Sequence, residues 1–264
     1  MALAVQFPHM SWASRRRTSY LLGVLVFFAV VIGIPAAYFL YQPPTCFDGK
    51  QNQDETAPDK GGPCRLLDER TLTPSSVLWS RAFQARDGSY SAVAYIQNPN
   101  KSAGVRRVGY HFGLYDSQNV LIADRNGTTY IMPGGITPVF AGAISTGNRV
   151  VAHTYFEFTQ PLVWERMMSN IGVLTIGNKQ VSDTQSAPRL TARVENTSVA
   201  SVIAPSFIAV IFDSAGNAFA ASATTLTRVD PGQTQDLAFT WADPFTLSVG
   251  PIDILPILPP TPVQ

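Results

Sequence analysis

"HFGLYDSQN", His111 to Asn119, and "IAVIFDSAGN", Ile208 to Asn217, decide how this chain folds. Each joins an apolar-aromatic run to an Asp that opens a polar turn, the pattern of a β-strand entering a tight connection. In the first, Phe112 and Leu114 share one face of a strand and are expected in the core. Asp116 is placed to accept hydrogen bonds from the turn backbone at 117–119. The two stretches keep a fixed spacing. Asn98 and Asn196 are 98 positions apart, Asp116 and Asp213 are 97, and Pro133 and Pro231 are 98. "AYIQNPN" is echoed by "ARVENTS", and "IMPGGITPVF" by "RVDPGQTQDLAF". So constant an offset reads as a tandem duplication of a unit of ~100 residues, the size of a small β-sandwich.

Between these landmarks the texture is β throughout. "YSAVAYIQNPN", "RRVGYHFGLYD", "NVLIADRNGTTYIMPGG" and "RVVAHTYFEFT" are rich in Val, Ile, Tyr, Phe and Thr and are separated by turn residues. No amphipathic helix of useful length intervenes, so the expected fold is all-β: tandem antiparallel Ig-like sandwiches after one N-terminal transmembrane helix. The copies are expected at 75–169 and 170–256, with the boundary near Met168–Gly172. "VLWSRAFQAR" and "IGVLTIGNKQV" are their first strands. Asn126-Gly127 reads as a tight hairpin turn. Trp79 and Trp241 are expected in the cores, and Trp164 between the copies. Ile252, Ile254 and Ile257 suit a last edge strand, where Pro251 is tolerated. Beyond Pro256, a Pro-rich tail at 257–264 is expected to be loose.

The N-terminal part is of another kind. "YLLGVLVFFAVVIGIPAAYFL", Tyr20 to Leu40, carries no charge, and Arg15, Arg16 and Arg17 precede it. About 20 apolar residues cross a bilayer as a helix. Arginines before the span and a mainly acidic stretch after it predict a single-pass anchor by the positive-inside rule. This divides the chain into a cytoplasmic stub at 1–19, an anchor at 20–41, an extracytoplasmic stem at 42–74 and the sandwiches. A cleaved signal peptide has an apolar core of only ~7–15 residues, and "IPAAYFLYQ" is a poor cleavage site. "RRRTSYLL" faintly resembles a twin-arginine export signal, though three charges that set orientation explain it as well.

The stem holds both cysteines, in "CFDGKQNQDETAPDKGGPC", Cys46 to Cys64. Outside the cytoplasm such a pair forms a disulfide, and closing this loop contributes ~3 kcal/mol in the chain-entropy model. With Phe47 almost its only apolar residue, the loop cannot fold around a core. Asp48, Asn52, Asp54, Glu55 and Asp59 offer oxygen ligands of the kind calcium takes, without the twelve-residue EF-hand spacing. Two readings stay open, a calcium loop and a disulfide-closed, solvated spacer.

Two resemblances add to this. The stem resembles a short module, C-x-D-G-x-x-N-x-x-E-x-x-x-D-C-G-G-x-C, found near the anchors of bacterial surface proteins. Cys46, Asp48, Gly49, Asn52, Glu55, Asp59, Gly61, Gly62 and Cys64 match it, while Lys60 stands where the module has a further cysteine. Phe112-Gly113-Leu114-Tyr115-Asp116 matches the signature of the FxLYD domain, a small Ig-like sandwich of bacterial extracytoplasmic proteins. Ala209 to Asp213 keeps only the apolar-aromatic-Asp ending. The resemblance implies a fold and a location; no shared catalysis belongs to that family.

A catalytic set is not visible, and none is expected. His9 lies in the stub, and His111 and His153 lie in strand patterns away from any cysteine. There is no H-E-x-x-H, G-x-S-x-G elbow or phosphate loop. Nucleic-acid binding is not expected at a net charge of +1. Asn126-Gly-Thr and Asn196-Thr-Ser are formal glycosylation sequons that also read as turn sequences. The sequence therefore points to a non-enzyme without cofactor, anchored in the cell membrane, whose sandwiches bind or scaffold a protein or cell-wall partner. The alternative is an accessory subunit of an envelope secretion, pilus or transport complex.

Overall fold

The structure, a computed structural model, describes residues 12–41, 43–169, 172–259 and 261–262. Among the described residues, one helix, α1 (Trp12–Leu40), is followed only by β-strands and a single 3-10 turn at Glu69–Thr71. α1 begins ahead of the expected anchor, so the arginine triplet forms part of it, and the Arg16 guanidinium lies 4.2 Å from the Trp12 ring centre. Residues 1–11, which include His9, lie outside the described residues. α1 and residues 46–264 are separate compact units.

The first repeat contains β1 (Ser76–Arg86), β2 (Ser89–Asn98), β3 (Ala103–Tyr115), β4 (Leu121–Ile131), β5 (Gly135–Ser145), β6 (His153–Phe158) and β7 (Trp164–Met168). One sheet has the order β1-β2-β5. In the other, β4 lines one edge of β3, and β7 then β6 line its opposite edge. The second repeat contains β8 (Leu174–Ser182), β9 (Arg189–Asn196), β10 (Val202–Ile203), β11 (Ser206–Phe212), β12 (Ala218–Thr225), β13 (Arg228–Val229), β14 (Thr234–Thr240) and β15 (Ile252–Ile257). Its sheets are β14-β9-β8 and β12-β11-β15, with β10 paired to β13. β10 and β11 together occupy the place of the long β3. Pro205 stands between them, and a residue with no N–H cannot continue a ladder.

Each repeat closes its two sheets on its own core. Ile96, Phe112, Leu114 and Trp164 fill the first; Leu190, Phe207, Phe239 and Trp241 fill the second. β3 is central and Phe112 and Leu114 are fully buried, as their shared strand face predicts. The Asp turns are also duplicated. Asp116 Oδ1 accepts from the N–H of Gln118 (2.9 Å) and Val120 (3.0 Å), and Asp213 Oδ1 from Ala215 (2.9 Å) and Asn217 (2.8 Å). Those donors, Val120 and Asn217 foremost, hold both carboxyls below the usual carboxylate range. A lowered folded-state pKa makes this contribution complete above the unfolded value near pH 4, and it is lost as pH falls through the folded value.

A third apolar cluster lies between the repeats. Phe83, Val93 and Tyr95, on the outer face of the β1-β2-β5 sheet, pack with Ile208, Val210, Ala218 and Ala221, on the outer face of the β12-β11-β15 sheet. β2 and β11 are therefore buried on both faces along most of their length. The Trp79 ring lies 4.3 Å from that of Tyr95 and meets Phe212 edge-on at 6.5 Å. Arg81 donates to the Ala218 carbonyl across the seam (2.6 Å).

Four local expectations are corrected. Trp79, expected in a core, packs between the repeats, while Trp164, expected between them, is buried in the first core. Asn126-Gly127 is not a turn. Both lie inside β4 opposite His111 and Tyr110, and the Tyr110 hydroxyl oxygen is 2.4 Å from where a Cβ on residue 127 would stand. A short turn signal yields to the ring it must accommodate. The described residues after Pro256 are held in place: Leu258 is buried in the second core, and β16 (Thr261–Pro262) pairs with β7 of the first repeat, while residues 260, 263 and 264 lie outside the described residues. Pairing with an open strand edge satisfies backbone groups that a loose tail would leave to water.

The repeat also predicts a matched pair of weak points. Asn98 and Asn196 are fully buried. Asn98 Nδ2 donates to the carbonyls of Ala103 (2.7 Å) and Met132 (2.8 Å); Asn196 Nδ2 donates to those of Ala200 (2.8 Å) and Val229 (2.9 Å). Replacing either by Ala orphans one buried carbonyl, that of Ala103 or of Val229, and removes a second bond nearer the surface, and should cost about 1–3 kcal/mol. Urea unfolding should show the loss as a lower midpoint at unchanged slope. A loss under about 0.5 kcal/mol would contradict the clamp.

Candidate functional site

The stem is ordered by its own backbone donors. Cys46 and Cys64 are disulfide-bonded with Cα atoms 5.5 Å apart. Within the closed loop the carboxylates turn toward N–H groups. Asp59 accepts from Gly49 N with both oxygens (3.1 and 3.0 Å). Asp48 accepts from Lys50 N (2.9 Å) and from the Asn52 amide (2.9 Å). Glu55, only 6% exposed, accepts from Asn52 N (3.2 Å) and Asp59 N (3.1 Å) through one oxygen. Its other oxygen touches Cys64 Sγ at 3.0 Å, a contact without a proton because that sulfur is in the disulfide.

Four of the five residues expected to hold calcium, Asp48, Asn52, Glu55 and Asp59, are thus joined in one knot, while Asp54 is exposed at a left-handed position (φ +64°). Asn52 Oδ1 is buried without a hydrogen-bond partner. A cation here would meet Asn52 Oδ1 but would have to share the Asp48, Asp59 and Glu55 Oε2 oxygens that already accept from backbone N–H groups. Cys46, Glu55 and Cys64 come close enough to suggest a metal cluster, but two sulfurs of a disulfide are not thiolate ligands. Gly62 lets the loop fold back on itself. A Cβ there would stand 2.8 Å from the carbonyl oxygens of Gln53 and Asp54.

The stem docks on the first repeat, a contact that the sequence reading did not anticipate. Leu67 N donates to Trp164 O (2.9 Å), Arg166 N to Arg65 O (2.7 Å), and Arg166 Nη2 to Gly62 O (2.7 Å). Leu66 pairs with Glu165 as an isolated bridge. Glu165, 7% exposed, takes Arg106 Nη2 on both oxygens (2.8 and 2.6 Å) and lies 3.4 Å from Arg65 Nε. Beyond the bridge, Asp68 accepts from the Arg70 backbone and guanidinium and caps the short 3-10 turn; that guanidinium holds its carboxyl below the usual range. A cleft of about 450 Å³ remains between stem and repeat, lined by Lys60, Leu66, Asp68, Arg70, Leu162 and Trp164 among others. Only a strand-edge signal in "RLLDE" could have hinted at this docking.

The histidines fall apart from one another in role. His153 is exposed at the start of β6. His111 lies on the outward face of β3, Nε2 3.6 Å from Asp124 Oδ2 and Nδ1 3.5 Å from Glu157 Oε1. That is a histidine between two carboxylates on an open sheet, not in a cleft.

No protein-family model and no curated protein matches the chain. Among solved structures, a red sea bream transglutaminase is similar with a TM-score of 0.23 and 10% identity, covering 72% of this chain and 32% of that one. A Bacteroides uniformis β-glucuronidase follows with a TM-score of 0.19 and 14% identity, covering 66% and 22%. The CBM22 tandem domain of Paenibacillus barcinonensis Xyn10C has a TM-score of 0.16 and 10% identity, covering 74% and 88%. The chain spans about a third of the first and about a fifth of the second. At these scores the likenesses carry no information about activity.

Because Glu55 collects backbone donors, Glu55→Ala should loosen the loop by about 1–3 kcal/mol, read as faster amide exchange at Asn52 and Asp59. The same loss is expected in EDTA and in millimolar calcium. A loss confined to calcium would mean that Glu55 serves a cation instead.

Proposed function

We propose that the chain is a non-enzymatic, single-pass membrane protein that holds two Ig-like, FxLYD-like repeats outside the cytoplasm, where they bind or scaffold at the cell envelope. The observation that carries this reading is α1: 29 residues with mean hydropathy 2.5 over its most apolar window, long and apolar enough to cross a membrane. Its arginines all lie at one end, and the acidic stem follows the other. That asymmetry favours a cytoplasmic N-terminus and exported repeats. The paired state of Cys46 and Cys64 fits an oxidising compartment. In this reading the stem is a short crosslinked spacer, clasped to β7 through Glu165 and ordered without calcium.

The absence of enzymatic function is supported by how the titratable groups lie. Asp124, Glu157 and His111 meet on an open sheet face, where solvent screens the charges a catalyst would have to shift. An accessory subunit of an envelope secretion, pilus or transport complex would use the same anchor and the same free faces, and no particular contact favours it.

The topology is tested with Ser117→Cys and Asn217→Cys, both in exposed turns. The native cysteines are paired, so a membrane-impermeant maleimide meets only the new thiol. Labelling in intact cells is expected at both positions. Labelling that requires lysis would overturn the proposed orientation.

A further inference from the structure

We propose that the outward face of the β4-β3-β6 sheet is a binding platform for a glycan chain of neutral hexopyranose units. On this face β3 carries Gly113 and His111 side by side with Tyr155 and Glu157 of β6 and with Asp124 and Asn126 of β4. The Tyr115 ring lies down over Gly113: its Cε2 is 2.9 Å and its hydroxyl 3.2 Å from where a Cβ would stand, with Leu121 Cδ1 at 3.4 Å. Any side chain at 113 would lift that ring. The lost strand propensity of a central glycine is thus exchanged for an aromatic floor. Beside it Tyr155 is 52% exposed.

Next to this floor stands a row rich in acceptors. Asp124 and Glu157 flank His111, with about half of each carboxylate side chain exposed. Neither carboxylate has a hydrogen bond that consumes it: the Asn126 amide is 3.5 Å from Asp124 Oδ2, and the Tyr155 hydroxyl is 3.5 Å from Glu157 Oε2. His111 Nδ1 is buried beside Glu157 Oε1 (3.5 Å), so the acceptors open to a ligand on this face are the two half-exposed carboxylates.

A pyranose matches this chemistry from both sides. Its C–H face packs on an aromatic ring, and its hydroxyls donate to carboxylates. Strands lie about 4.8 Å apart, so Tyr155 and Asp124 stand roughly 9–10 Å apart across Gly113, room for one sugar ring. An open sheet rather than a pocket suits a chain that extends past both rims. The acceptor excess argues against an anionic polymer.

The inference deepens the binding role proposed above, and its test is independent of topology. The full-length chain is purified in a detergent without a sugar headgroup and titrated with cellotriose and with triacetylchitotriose. Binding of one of them with a Kd below about 1 mM is expected. Tyr155→Ala and Glu157→Gln should each weaken it about tenfold at unchanged melting temperature. Arg193→Ala, on the β14-β9-β8 sheet of the other repeat, should leave it unchanged. No binding of either sugar at about 10 mM, equal binding by the Tyr155 and Glu157 variants, or binding of tetralysine in place of both sugars would each overturn the platform. None of these outcomes would alter the membrane orientation, which the labelling experiment reads alone.

Discussion

Burial of one apolar seam between the repeats organises the whole β-rich part. The two copies share a fold and a 97–98 residue offset, yet the same sheet face differs in each. In the second repeat it presents Ile208, Val210 and Phe212; the equivalent positions of the first are His111, Gly113 and Tyr115. The opposite sheet shows the reverse. Val93 and Tyr95 of the first repeat correspond to Thr191 and Arg193 of the second. Apolar residues occur where the copies meet, and more polar ones on the faces turned away from the seam. This is how a short stack is capped, since each unit needs a neighbour only on its inner side. The aromatic floor of Tyr115 and Tyr155 departs from that rule, and so stands out as more than a cap.

The second organising element is the edge of β7. On one side it pairs with the start of β3, and on the other it meets Leu66 of the stem and β16 from the far end of the chain. An edge left open would template association with other chains. Here the stem and the last strand cover it, and the buried Glu165 with its two arginines fixes the stem in place. By its place in the repeat, β16 is the counterpart of β7. It leaves its own repeat to pair with the other, so the copies are joined by strand as well as by seam.

Much of this was legible beforehand. The fixed offset between Asn98 and Asn196 and between the two Asp turns gave the repeats, because both residue types perform backbone-clamping tasks that no other side chain repeats so well. The alternation in β3 gave the core face. The docking of the repeats was not read, although the unbroken apolar run from Ala92 to Ile96 is the mark of a strand buried on both sides. Asn126-Gly127 misled because a local turn preference was outweighed by the Tyr110 ring. In the stem, composition left a calcium loop and a disulfide-closed spacer both open; the hydrogen bonds of Asp48, Glu55 and Asp59 to N–H groups a few residues away are a geometry that composition alone does not encode.

Native-state hydrogen exchange of the full-length protein under increasing urea tests the seam most directly, read at Leu114 in the first core and Leu237 in the second. If the seam makes the repeats one cooperative block, both amides open with the same free energy and the same urea slope, and Val210→Asp lowers both together. Two distinct opening energies, with Leu114 indifferent to the substitution, would show two independent domains and contradict the account.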